Sequence, residues 1–384
     1  MTFEFATAGR ILFGPGRISE AGNLAAELGD RVLLVIGGSA ERAAALEAIL
    51  HEANLETCLL SVEHEPTIEL AQRGRQLAIE AQCDLVIGFG GGSALDAGKA
   101  ISALVPNGED PLDFLEVIGQ GLPLLETPLP FIAIPTTAGT GSEVTRNAVL
   151  ASIKHKVKVS LRSAAMLPRI ALVDPELTYS MPPEVTASTG LDALTQLVEP
   201  FLSTRRNPMV DAICREGIRR AAGALLRAYQ NGVDEQARLE MSLASMMGGL
   251  ALANAGLGAV HGFAGPFGGM YPAPHGAICA ALLPHVMKVN LGVLEREAVG
   301  GDLRARFDEV AQIITGESDA RAVDGVGWIT TQSIEMDIPG LGSYGLSRPG
   351  FSDLIEKASV SSSMKGNPVP LSTEDLHQIL ELAL

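Results

Sequence analysis

The chain has 384 residues, 47% of them hydrophobic and 19% charged, with a formal charge of −17 at neutral pH; this length divides into two domains more readily than it closes over one core. So acidic a balance excludes nucleic acid and anionic membrane as partners, since both need a basic face. Apolar runs of about 18 residues are absent, and the opening MTFEFATAGRILFGPGR lacks the basic-then-apolar order of a signal peptide, which predicts a cytoplasmic protein.

In chain order, RVLLVIGG reads as a strand ending in glycines, SAERAAALEAILHEA as a helix, ETCLLSV as a strand and TIELAQRGRQLAIEAQ as a helix. CDLVIGFGGGS is a strand running into a glycine loop, LDAGKAISALV the helix after it, and LPFIAIPTTAGTGSEVT another strand-to-loop unit. Apolar strands that do not alternate cleanly, separated by helices, imply a parallel sheet covered on both faces. Residues 1–182 are therefore expected to form a Rossmann-like α/β nucleotide-binding domain. Pro182 and Pro183 break the pattern, and residues 183–384 carry almost only helical signals, from PEVTASTGLDALTQLVEPFL to TEDLHQILELAL. An all-α domain is expected there, with a cleft between the two.

Gly90, Gly91, Gly92 and Ser93 lie between a strand and a helix, where bare backbone N–H groups and a helix N-terminus can receive a pyrophosphate; a tight turn alone has the same composition. PTTAGTGSEVT sets Thr136, Thr137, Thr140, Ser142 and Thr145 in a second loop at a strand's C-terminal end, where open α/β sheets bind ligands. Two such loops favour a nucleotide site over two turns. VIGGSAER offers Gly37, Gly38, Ser39 and Arg42 where NAD-preferring enzymes usually place an acid for the ribose hydroxyls. Small residues, a hydroxyl and a cation suit a phosphate, while a helix cap accounts equally well for Ser39.

STGLDALTQLVEP places Asp192 and Gln196 one helical turn apart on one face of an apolar run, as a buried hydrogen-bonded couple or as part of a site. Of seven histidines, His261 and His275 sit in a glycine-rich stretch almost free of other charge, fourteen positions apart across a bend. Imidazoles in that setting suit a divalent metal, and Asp192 is the carboxylate that completes a three-ligand set. Phe263, Phe267 and Met270 are candidates for an apolar wall or for core. Cys58, Cys83, Cys214 and Cys279 are scattered without a CxxC pair and read as small buried hydrophobes without chemistry.

Six blocks in order, GGGSALDAGKA, IPTTAGTGSEVT, LVDPELTYSMPP, STGLDALTQ, VHGFAGPFGGMYPAPHG and KGNP, resemble the iron-containing, or group III, alcohol dehydrogenase family across essentially the whole chain. The resemblance implies NAD(P)-dependent interconversion of a small-molecule alcohol and an aldehyde or ketone, assisted by a divalent metal, iron or zinc, in a protein that is commonly a homodimer. Matched position by position, it assigns Gly90 to Ser93, Asp96, Thr136, Thr137, Thr140 and Lys158 to the cofactor. Asp192, His261 and His275 match three of the family's metal ligands, and Gln196 stands where a fourth, a histidine, is expected. Gly265 also replaces a histidine that many members carry four residues after the position of His261. With that imidazole missing, no side chain is assigned as general acid and water is the expected relay. The IGGS stretch at Gly37, Gly38 and Ser39 resembles NADP-preferring members. Two other readings follow from the same resemblance: a metal-independent oxoacid reductase similar to maleylacetate reductase, and a non-catalytic nucleotide binder.

Overall fold

The computed structural model describes residues 2–108, 110–297 and 301–384, and the chain separates into two compact bodies. One runs from Ala6 to Thr178, apart from Ala138–Thr140. It contains β1 (Arg10–Phe13), α1 (Ala21–Ala26), β2 (Arg31–Gly37), α2 (Ala44–Glu52), β3 (Glu56–Val62), α3 (Ile68–Glu80), β4 (Leu85–Gly90) and α4 (Gly92–Asn107). β5 (Phe131–Pro135), β6 (Asn147–Ser152), β7 (Val157–Arg162) and β8 (Ile170–Val173) complete it.

Six strands form one parallel sheet in the order β1-β8-β5-β4-β2-β3. Both faces are covered, which is why β2 is apolar throughout. Val32, Leu34 and Ile36 pack with Leu24 of α1 and Leu46 and Leu50 of α2. Leu33 and Val35 pack with Leu70 and Ala78 of α3 and Ile101 of α4. Because β3 lies on one side of β2 and β4 on the other, the winding reverses between β2 and β4, and ligands of open α/β sheets bind outside the carboxyl ends at such a point.

The sequence reading passed over two features. β1 is a four-residue strand on the sheet edge beside β8, and β6 and β7 form an antiparallel hairpin. Ala148 and Leu150 of β6, with Val159 and Leu161 of β7, bury one side of that hairpin against Ala100 and Leu104 of α4.

The second body holds the remaining residues up to Phe5, Ala138–Thr140, and everything from Tyr179 on. Its helices are α5 (Pro183–Leu202), α6 (Pro208–Gln230), α7 (Glu235–Ala255), α8 (Ala259–Met270), α9 (His275–Arg296), α10 (Asp302–Thr315), α11 (Ala322–Glu335), α12 (Phe351–Ser359) and α13 (Thr373–Ala383). Their starts follow local chemistry. Pro183 opens α5 at the first helical position, where its missing N–H costs nothing. Asn207 and Asp234 cap α6 and α7 by accepting from Val210 N at 3.1 Å and Ala237 N at 2.9 Å. Residues 190–202 of α5 are all buried, packed against α6, α7 and α9, so its polar side chains lie inside the body. By length and composition α9 could cross a membrane, but 83% of its most apolar window is buried within the body, as in a core helix.

The expected boundary at residue 182 shifts to Thr178 and Tyr179, and the loop Ala138–Thr140 joins the helical body. Gly139 shows why: a Cβ there would come within 2.6 Å of Thr189 Cβ on α5, an approach open only to glycine.

Candidate functional site

The glycine loops meet at the reversal point of the sheet. Gly90 ends β4 at φ +157°, and a Cβ on it would lie 2.8 Å from both Gly37 N and Ala94 Cβ. Gly38, at φ +84°, has Arg42 beside it, the guanidinium 3.8 Å from where its Cβ would stand. Thr136 N donates to Gly90 O at 2.9 Å, joining the ends of β4 and β5. The Thr137 side chain lies against Gly91, its Oγ1 3.3 Å from a Cβ built there. Gly92 and Ser93 open α4, so the first N–H groups of that helix belong to this loop. Gly37, Gly38, Gly90, Gly91, Gly92, Ser93, Thr136 and Thr137 are thus brought together in one body, next to Ser39, which donates to Glu41 Oε2 at 3.1 Å.

Three other predicted cofactor residues stand differently. Asp96 has both oxygens engaged within the protein: Oδ1 accepts from Ser142 Oγ at 2.5 Å and Oδ2 from Val149 N at 2.9 Å. It also pairs with the fully buried Lys99, whose ammonium donates to Ser142 O, Thr145 Oγ1 and Asn147 O. Asp96 and Lys99 therefore fasten the hydroxyl loop and the β6–β7 hairpin to α4. Lys158, nearly buried on β7, pairs with Glu65 at 2.9 Å. Thr140 belongs to the helical body.

In that body, Asp192, His261, His275 and Cys279 each offer one ligand atom, all within 4.8 Å of one another. Asp192 comes from the middle of α5, His261 from the first turn of α8, and His275 is the first residue of α9 after the YPAP turn; Cys279 lies one turn further along α9. His261 Nε2 stands 3.3 Å from Asp192 Oδ1. Cys279 Sγ lies 3.6 Å from His275 Nε2 and 3.8 Å from His261 Nε2. Cys279 is buried as expected for a small hydrophobe, but not idle; its spacing of four from His275 was the sequence signal that could have found it.

Glu199 was also missed. One oxygen accepts from Val260 N at 2.7 Å and the other contacts His261 Nδ1 at 2.7 Å. A carboxylate at the α8 N-terminus is favourable to the helix dipole. By accepting a hydrogen bond from Nδ1–H it leaves Nε2 turned toward Asp192, the arrangement common behind metal-ligating histidines. Asn367, in the KGNP block, fixes the same end of α8: it accepts from Ala259 N at 3.1 Å and donates to Asn290 Oδ1 at 2.7 Å.

Gln196, expected at the position of a metal ligand, lies beside the cluster. Its amide nitrogen donates to Asp192 Oδ2 at 3.1 Å, and its oxygen faces Gly248 on α7, 3.5 Å from a Cβ built there. Gly265 has open space where a side chain would begin, while Phe263 and Phe267 are core residues rather than a wall.

Electrostatics favour a cation at the cluster. Burial opposes charge on His261, yet its interactions with Cys279, then Asp192 and Glu199, outweigh burial and hold its pKa well above the imidazole range. Burial alone would raise Asp192, but the hydrogen bond from His261 and the nearby His275 bring it below the carboxylate range. Burial, then the Asp192 charge, pushes the Cys279 thiol up to about 12, so without a metal it is neutral. Asp192 Oδ1, whose nearest donor is His261 Nε2 at 3.3 Å, and Gln196 Oε1 are buried and make no hydrogen bond of good geometry, which is costly unless something else satisfies them. Two imidazoles, a carboxylate and a thiol around an unsatisfied oxygen fit a divalent metal.

The sequence model described as iron-containing alcohol dehydrogenase matches residues 8–175, and that of the Fe-containing alcohol dehydrogenase family, C-terminal, matches residues 186–384. The chain belongs to the iron-containing alcohol dehydrogenase family. Similar relatives include 1,3-propanediol dehydrogenase of Klebsiella pneumoniae, 34% identical over 99% of this chain and 98% of the relative. NADPH-dependent butanol dehydrogenase of Clostridium saccharobutylicum is 32% identical over 97% and 95%. A crystal structure of 1,3-propanediol oxidoreductase superposes with a TM-score of 0.92 at 32% identity, covering all of both chains. As an iron-containing alcohol dehydrogenase, the protein is an NAD(P)-dependent oxidoreductase that interconverts alcohols and carbonyl compounds. The oxoacid-reductase reading is not favoured, and the matched structures agree with a parallel six-stranded sheet followed by a helical region.

Proposed function

We propose that this alcohol dehydrogenase is an NADP-linked carbonyl reductase, with a divalent metal held by Asp192, His261 and His275. The observation that carries the reading is the largely buried cluster, in which a carboxylate, two imidazoles and a thiol bring one ligand atom each within 4.8 Å of one another. A cation held there supplies Lewis acidity toward the carbonyl oxygen of the substrate. Glu199 fixes the tautomer of His261, and Gln196 holds the second oxygen of Asp192, so that both present a defined donor atom. Gly92 and Ser93 in the first turn of α4 have N–H groups without acceptors inside the helix, which suit the cofactor phosphates. Gly37, Gly38 and Arg42 support NADP: glycines end β2 where NAD-preferring members carry an aspartate, and the Arg42 guanidinium lies beside Gly38, while the nearby Glu41 carboxylate accepts from Ser39. The partner is a small alcohol or carbonyl compound.

NADPH- and NADH-dependent reduction of a panel of aldehydes and ketones, run with added zinc, added iron or chelator, tests this. Chelator-sensitive activity with NADPH preferred is the expected result; turnover indifferent to chelator sinks the metal reading. His275→Ala is expected to lower turnover by about 100-fold or more, with folding checked by circular dichroism.

A further inference from the structure

We infer that Cys279 is the fourth protein ligand of the metal, taking the place that Gln196 does not fill. This rests on the metal reading of the same site. Tetrahedral zinc, with bonds of about 2.0–2.1 Å to nitrogen or oxygen and about 2.3 Å to sulfur, sets its ligand atoms about 3.3 Å apart for N and O and about 3.6 Å apart for N and S. Here His261 Nε2 and Asp192 Oδ1 are 3.3 Å apart, and Cys279 Sγ stands 3.6 Å and 3.8 Å from the two imidazoles. Three edges of a coordination polyhedron are therefore already drawn by side chains from α5, α8 and α9, and a substrate oxygen would add as a fifth ligand, the expansion that catalytic zinc allows. As placed, Gln196 turns its nitrogen to Asp192 Oδ2 and its oxygen, which has no hydrogen-bond partner, toward Gly248, whereas Cys279 Sγ already lies among the donor atoms of the cluster.

Sulfur in the set has a consequence for metal choice. Thiolate is a soft ligand that favours zinc, whereas carboxylate with imidazoles alone suits ferrous iron equally well. This member of an iron-named family is thereby built for zinc. Coordination requires the thiolate, so Cys279 gives up its proton to solvent as the metal enters and forms the sulfur–metal bond, with no change of oxidation state.

Cobalt(II) substitution tests the assignment through a spectrum rather than through turnover. Full-length protein loaded with cobalt is expected to show a sulfur-to-cobalt charge-transfer band in the near ultraviolet alongside visible d–d bands. Cys279→Ser should lose the charge-transfer band, keep the d–d bands and bind zinc roughly 100-fold more weakly; Gln196→Ala should keep both bands. Cobalt bound by the unaltered protein without the charge-transfer band overturns the role of Cys279 and leaves the metal reading standing. Failure of the unaltered protein to take up cobalt or zinc at all overturns both. A charge-transfer band that survives Cys279→Ser assigns the sulfur elsewhere and likewise overturns the inference.

Discussion

Glu199 does two things with one carboxylate, and both can be measured. Glu199→Gln keeps an acceptor for Val260 N but removes the charge that holds the proton on His261 Nδ1. Zinc affinity is expected to fall about 10- to 100-fold, read by competition with a chromophoric chelator; unchanged affinity would show that His261 needs no such support. Arg42→Ala should raise the KM for NADPH by about tenfold while leaving that for NADH nearly unchanged, because only the phosphorylated cofactor gains a charge-assisted contact there. Glu143, fully buried in the hydroxyl loop, has its pKa pushed up to about 7 by burial, against the pull of its own backbone N–H and of Lys99. Its folded pKa exceeds the unfolded value, so the folded state binds more protons between the two and stability falls as pH rises from about 4.5 to about 7. Glu143→Gln should flatten that fall in Tm, measured from pH 5 to pH 8; an identical slope in the variant refutes the raised pKa. At this scale Asp192, His261 and His275 were legible, because ionisable residues in apolar or glycine-rich runs need a reason to be there. Cys279 was marked only by its spacing of four from His275, whereas Glu199 meets His261 across 62 positions and Cys279 meets it across 18. No local spacing encodes such contacts.

Among the elements, α5 is the ruler of the metal centre. Asp192, Gln196 and Glu199 sit on successive turns of one helix and face, respectively, the cluster, the Asp192 carboxylate and the start of α8. Its start was readable in the sequence from Pro183, and Asn207 and Asp234 mark the starts of α6 and α7 in the same way, because caps are short-range chemistry. The β6–β7 hairpin was not: its alternation is only six residues per strand, and its buried face exists only because α3 and α4 are already in place. At the sheet end, Gly90 is the residue least open to replacement. Gly90→Ala forces a Cβ onto Gly37 N and Ala94 at 2.8 Å with φ +157°, a strain of about 1–3 kcal/mol. It should lower Tm and abolish the fluorescence enhancement of bound NADPH. Normal NADPH binding by this variant would place the cofactor elsewhere.

For the whole molecule, the division of labour is clean in the chain: the glycine loops belong to the α/β body, and Asp192, His261, His275 and Cys279 all belong to the helical one. Gly90→Ala should therefore retain the rise in Tm on adding zinc, about 4 kcal/mol of stabilisation at a thousandfold excess over Kd, even as nucleotide binding is lost. Loss of both responses together would mean that the bodies do not act separately. The loop Ala138–Thr140 and the residues up to Phe5 complicate any attempt to shuffle parts between relatives. A chimera joined once, near Thr178, would give the recipient helices a foreign Gly139 loop against Thr189 and a foreign leading segment. Grafting the helical half therefore requires three pieces, the leading segment, the Ala138–Thr140 loop and everything from Tyr179 on.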